Sequence, residues 1–144
     1  MSQYTSNTPR LLFENFCRKT QVDGLEITAD ISGIPVKLKV LTTPRSQEKG
    51  FSGAANPPND NSGLLFIYDD GQPLSFWMKG VMFPLDIVFF DSEMNYINHE
   101  TMQPANGRDD SLSRYFSKKP ARFAVELPAG WCDKNINSDC KLKF

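Results

Sequence analysis

From residue 25 onward the chain alternates. Leu25, Ile27, Ala29 and Ile31 point one way while Glu26, Thr28 and Asp30 point the other, the period of two that marks a half-buried strand. Gly33 and Pro35 signal a turn, and Val36, Leu38 and Val40 begin a second strand, so the pattern predicts a hairpin with one wet face. Upstream the period changes. Thr8 and Pro9 read as an N-cap and first helical residue, and Leu12, Phe13, Phe16 and Cys17 recur at helical spacing up to Arg18 and Lys19, which predicts an amphipathic helix over 9–19. Thr43-Pro44 repeats that signal, with Gly50 as the stop, for a short helix over 44–49.

Apolar runs predict further strands at 64–68, 75–79, 85–91, 95–101, 122–127 and 141–144. Asp69-Asp70-Gly71 and Pro128-Ala129-Gly130 have turn chemistry between them. Residues 52–62 read as loop, and the polar stretch 103–119 reads as a long loop anchored by Leu112, Tyr115 and Phe116. The expected fold is α+β and β-dominated: a compact, barrel-like antiparallel or mixed sheet with one or two short helices. Residues 1–24 supply the amphipathic helix and a connection, and residues 25–144 a single β-rich domain.

Composition narrows this picture. The 144 residues suffice for one core, and 16 basic against 17 acidic residues leave no global field to draw nucleic acid or anionic lipid. No apolar run reaches the ~18 residues of a membrane span. The first twenty residues carry no secretion signal, so a soluble, cytoplasmic protein is expected. The three cysteines, Cys17, Cys132 and Cys140, make no zinc set; Cys132 and Cys140 flank a short polar turn and are expected as thiols in a reducing cell.

The block Phe76-Trp77-Met78-Lys79-Gly80, followed by Pro84-Leu85-Asp86-Ile87-Val88-Phe89-Phe90-Asp91, resembles the family known as domain of unknown function 192. Gly50, Gly63-Leu64-Leu65-Phe66, Pro104, Pro120-Ala121 and Val125-Glu126-Leu127-Pro128-Ala129-Gly130 follow the family's order, and the resemblance runs from about Ile27 to the C-terminus. It implies a compact β-rich fold with small helical elements and carries no established activity. The chain departs from the family after Gly50, where Phe51, Ser52, Gly53 and Ala54 stand in place of Leu-Met and a following Arg, and at Ser138-Asp139 in place of Gly-Asp.

Candidate chemistry is sparse. His99 is the only histidine and lies in a predicted strand away from any nucleophile pattern, so no catalytic residue is assigned. Asp69-Asp70 and Asp109-Asp110 sit in turn sequences without the spaced ligands of a calcium loop, and Gly50-Phe51-Ser52-Gly53 lacks the length and lysine of a phosphate loop. No metal and no cofactor is expected. Arg114, Lys118, Lys119 and Arg122, with Tyr115 and Phe116 among them, form the densest basic patch, read here as a solvated loop rather than a nucleic-acid site.

The site expected from alternation is a face carrying Trp77, Lys79 and Asp86. If Gly80 to Leu85 connects two paired strands, Lys79 lies opposite Asp86 and Trp77 opposite Val88. That face suits a non-enzymatic binding or assembly module for a small molecule, a glycan or a protein. The alternatives are a hydrolase-like enzyme using Asp86 with Lys79, and a purely structural or assembly protein in which these residues only pack.

Overall fold

A computed structural model describes residues 22–105, 113–137 and 139–144; the helix expected over 9–19 lies outside them. The chain runs β1 (Glu26–Ile31), β2 (Ile34–Leu41), α1 (Pro44–Lys49), β3 (Ser62–Gln72), β4 (Ser75–Phe76), β5 (Leu85–Phe90), β6 (Tyr96–Met102), β7 (Tyr115–Phe116), β8 (Ala121–Pro128), α2 (Trp131–Asn135) and β9 (Leu142–Lys143). Seven strands form one mixed sheet in the order β6-β5-β8-β3-β2-β1-β9, and β4 pairs with β7 in a two-stranded ribbon.

The expected hairpin forms, with Ile31 opposite Ile34 and Ala29 opposite Val36. At its tip the Asp30 carboxylate accepts the Gly33 N–H at 2.9 Å. β2 then pairs with β3 in parallel, a pairing that needs a crossover, and α1 with the following loop supplies it. The sheet curls until its two margins meet: Asn95 bridges Lys141, Leu142 N–H donates to the Met94 carbonyl at 3.0 Å, and Tyr96 N–H to the Cys140 carbonyl at 3.3 Å. This is the barrel-like, β-dominated domain that the alternation implies.

Alternation sorts the interior strands onto two faces, each covered. Leu65, Ile67, Val88, Phe90, Val125 and Leu127 join a cluster with Trp131, Cys132 and Leu142 on the enclosed face. Leu64, Phe66, Ile87, Phe89 and Ala124 join a second cluster on the outer face, beneath Phe76, Met78, Val81 and Phe83. Every residue of β5 is therefore buried, the continuous apolar pattern of a strand covered on both sides.

Three expectations are corrected. The sequence 75–79 does not form a hairpin with 85–91. Only Ser75 and Phe76 are strand, and they pair with Phe116 and Tyr115 inside the stretch read as loop. β5 pairs instead with β6 and β8, so Asp86 lies opposite Thr101 and Leu127, and Val88 opposite His99 and Val125. The reason is packing: Met78, Val81 and Phe83 pin the 77–84 segment onto the outer cluster, and β5, buried on both faces, already has a neighbour on each side. Second, Asp69-Asp70-Gly71 belong to an 11-residue β3, whose pairing with β8 breaks register between Ile67 and Gln72. Third, a helix unforeseen in the sequence, α2, follows Gly130.

Candidate functional site

α1 sets one wall of a recess on the outer face of the sheet. Thr43 caps it: its Oγ1 accepts Ser46 N–H at 3.2 Å, and Ser46 Oγ accepts Thr43 N–H at 3.3 Å in return. Asp23 reinforces the cap by accepting Ser46 Oγ–H at 2.6 Å and Thr42 N–H at 2.8 Å. Burial raises the Asp23 carboxyl, but those hydrogen bonds outweigh it and hold the group below its ordinary value. Gln47 Nε2 donates to the carbonyls of Ile67 at 2.8 Å and Leu41 at 3.1 Å, which locks α1 onto β2 and β3.

So fixed, the C-terminal end of α1 presents Gly50 to the sheet. Its φ of 45° is one that side-chain-bearing residues avoid, and a Cβ there would stand 3.6 Å from both Glu126 Oε1 and the tip of Phe66. Glu126 is opposite Leu64 on β3 and Ile87 on β5, so it shares their outer face. The strands lie close here, and a Cβ on Gly63 would collide with the Glu126 carbonyl oxygen.

Glu126, Phe66 and Tyr68 form the inner end of a cavity of about 190 Å³, walled by the end of α1 and by Ser75 and Phe76, with Trp77, Lys79 and Arg114 at its mouth. Burial orders these depths: Phe66 is 1% exposed and Glu126 4%, Trp77 is half-buried, and Lys79 and Arg114 are exposed. The back wall is aromatic, with Phe66 edge-on to Phe76 at 4.9 Å and Phe76 tilted against Phe89 at 5.9 Å. At the mouth the Arg114 guanidinium lies 4.3 Å and Lys79 Nζ 5.4 Å from the Trp77 ring centroid, both in cation–π range. An adjoining hollow of about 460 Å³ shares Trp77, Lys79, Glu48 and Lys49 and adds Arg45.

Glu126 is the chemically unusual member. Its Oε1 is buried and has no hydrogen-bond partner among the described residues. Burial pushes its carboxyl up to about 8, so the group is mainly a neutral acid at pH 7. Burial, with the Glu126 charge second, also pushes the Tyr68 phenol well above its ordinary value. The inner end of the recess is thus a pair of neutral proton-bearing oxygens, and the mouth is cationic.

Of the three residues expected to share a face, Trp77 and Lys79 do meet at this mouth. Asp86 does not. It shares a face with Val88 and Phe90 on the enclosed side of the sheet, 1% exposed. Its Oδ2 accepts Cys132 N–H at 2.9 Å and Gly130 N–H at 3.1 Å, and its Oδ1 accepts Thr101 Oγ1–H at 2.7 Å. Asp86 therefore satisfies the first N–H groups of α2, a task no local side chain performs.

The basic patch separates as well. Arg114 goes to Trp77, while Arg122 Nε donates to the Tyr68 carbonyl at 3.0 Å. His99 is half-buried, with Nδ1 2.7 Å from Tyr96 Oη and Nε2 3.8 Å from the exposed Asp133 carboxylate. Cys132 and Cys140 are buried free thiols, and burial raises both above their ordinary values, Cys132 further through the charge of Asp86. Among the described residues, no group of three or more His, Cys, Asp or Glu side chains is placed to hold a metal ion, and no helix is long and apolar enough to cross a membrane. Glu126 and Tyr68 were not singled out from the sequence. The available signal was a lone acid within the apolar run Phe123 to Leu127.

Solved structures share the fold, two of them as follows. A protein of unknown function from Novosphingobium aromaticivorans is 20% identical, with a TM-score of 0.71 over 83% of this chain and 85% of that one. A putative transcription regulator from Sinorhizobium meliloti is 20% identical, with a TM-score of 0.73 over 85% of this chain and 95% of that one. No curated protein matches the chain. The family model for domain of unknown function 192, described as "Uncharacterized ACR", matches residues 26–144, so the chain belongs to the DUF192 family.

Proposed function

We propose that this protein is a non-enzymatic binding module that holds a small polar ligand in the recess ending at Glu126, with Trp77 and Lys79 at its entrance. The observation that carries this reading is Glu126 Oε1, buried without a hydrogen-bond partner in a cavity that reaches the surface. Leaving a buried polar atom unsatisfied costs roughly 1–3 kcal/mol, a cost that a ligand contributing the missing partner removes. An apolar wall with a few convergent polar groups is the usual composition of a small-molecule site. At about 190 Å³ the inner cavity suits a ligand smaller than drug size.

The hydrolase alternative, with Asp86 as base and Lys79 beside it, loses its geometric basis because the two lie on opposite faces of the sheet. A thermal-shift screen of small acids, amines, sugars and short peptides tests the binding reading, using the parent protein beside Trp77→Ala and Lys79→Ala. A ligand that raises Tm in the parent and loses affinity in the variants is the expected result. A set of ligands that bind both variants as tightly as the parent would move the site elsewhere. No ligand in any class would leave packing or assembly as the role of these residues.

A further inference from the structure

Resting on that reading of the recess, we infer that its ligand is a small organic carboxylate that also carries a carbonyl-type oxygen, the carboxylate held at the mouth and the carbonyl oxygen accepting a hydrogen bond from the Glu126 carboxyl. Three features of the recess select this chemistry. Among the described residues, the exposed charged side chains lining the recess are Lys49, Lys79 and Arg114 with Glu48, a positive balance that favours an anion. The inner oxygen atom is unpartnered and sits in a wall of Phe66 and Phe76, where a hydrated inorganic ion would lose its water against apolar surface. A carbon body that bridges mouth and interior fits that wall.

The protonation of the interior then decides the polarity of the contact. Burial holds the Glu126 proton up to about pH 8, so over the neutral range the group donates, and it needs an acceptor rather than an ammonium. The other titratable and charged groups lining the recess are Glu48 and Lys49 from α1, Tyr68 from β3, Lys79 from the segment after β4, and Arg114 ahead of β7. Of these, burial pushes the Tyr68 phenol well above its ordinary value. Glu126 itself changes state as pH passes about 8. On ionising it loses its donor and repels the carbonyl oxygen, so affinity falls as pH rises.

Isothermal titration of the full chain tests this with levulinate and phenylpyruvate, the same acids without the oxo group, the corresponding primary amides of the oxo acids, and butylammonium as a cationic probe. The expected result is that an oxo acid binds at least tenfold more tightly than its deoxo and amide counterparts. Its affinity should fall about tenfold from pH 7 to pH 9, following the protonated fraction of a group near 8. In Glu126→Gln, whose amide donates but does not titrate, the ratio of affinities at the two pH values should collapse to about one. Amides or deoxo acids binding as well as the oxo acids, butylammonium binding in their place, or a pH ratio retained by Glu126→Gln would each overturn the inference while leaving a binding recess in place. Ligands bound only outside the recess, or none in the wider screen, would remove the recess reading as well.

Discussion

Glu126 stands in a strand whose every other buried side chain is apolar, and among the described residues it gains no ion pair or donor in return for losing water. Its carboxyl lies near 8 in the folded chain against 4.5 when exposed. Between those values the folded state keeps a proton that the unfolded state has released. The contribution of Glu126 to stability therefore falls as pH rises through that window and is constant below and above it. At pH 7 the difference of about 2.5 pH units amounts to on the order of 3 kcal/mol. Glu126→Gln, nearly the same shape without the titration, is accordingly expected to raise stability at pH 7 and to flatten its decline from pH 5 to 8, read by denaturant melts across pH. A carboxyl titrating near 4.5 in the folded protein, followed by carbon NMR, would contradict this. A residue that destabilises its own domain is the kind retained for function. The sequence contained the clue in Phe123-Ala-Val-Glu-Leu127, but alternation alone cannot say whether a strand acid faces water or a covered face, because that depends on what packs over it.

The two helices differ in how much of their definition is local. α1 was legible to the residue because Thr43, Pro44 and Gly50 encode cap, first turn and stop within eight positions. α2 was not, since its N-cap is Gly130, which offers no side chain, and its cap comes from Asp86, 46 positions before Cys132. A sequence window cannot see such a partner. Asp86→Ala would leave the N–H groups of Gly130 and Cys132 without acceptors, and is expected to cost about 3 kcal/mol. Amide exchange should quicken first at Gly130 and Cys132, while binding at the recess on the other face persists. An unchanged melt would show that α2 does not depend on Asp86. Thr43→Ala should cost about 1 kcal/mol, the usual loss of an N-cap, and loosen the wall that holds Gly50 against Glu126. The ribbon of β4 with β7 was equally hidden: two residues from each partner pair across some forty positions, and the alternation of Ser75, Trp77 and Lys79 imitates a longer strand.

At the scale of the molecule, alternation and strand count led to a barrel-like sheet, whereas strand order did not follow from them. The parallel β2–β3 pairing and the place of β8 between β3 and β5 are long-range choices made by burial of both faces. Closure rests on the short contact between the chain around Met94 to Tyr96 and the C-terminal segment, where Leu142 is 1% exposed. Leu142→Ala is expected to cost about 3 kcal/mol and to speed amide exchange at both Tyr96 and Leu142's position together. Exchange that quickened at one margin alone would mean the two margins are not coupled. The domain that results places an orphaned acid, an aromatic wall and a cationic mouth on one outer face, away from the Asp86 network that stabilises the other. The most direct test of that division is a fragment screen followed by amide and indole chemical shifts in the labelled protein. The account predicts that bound fragments perturb the Trp77 indole and the amides of Gly50, Ser75 and Glu126 as one set. Perturbations centred instead on Gly130, Cys132 and Thr101 would contradict it.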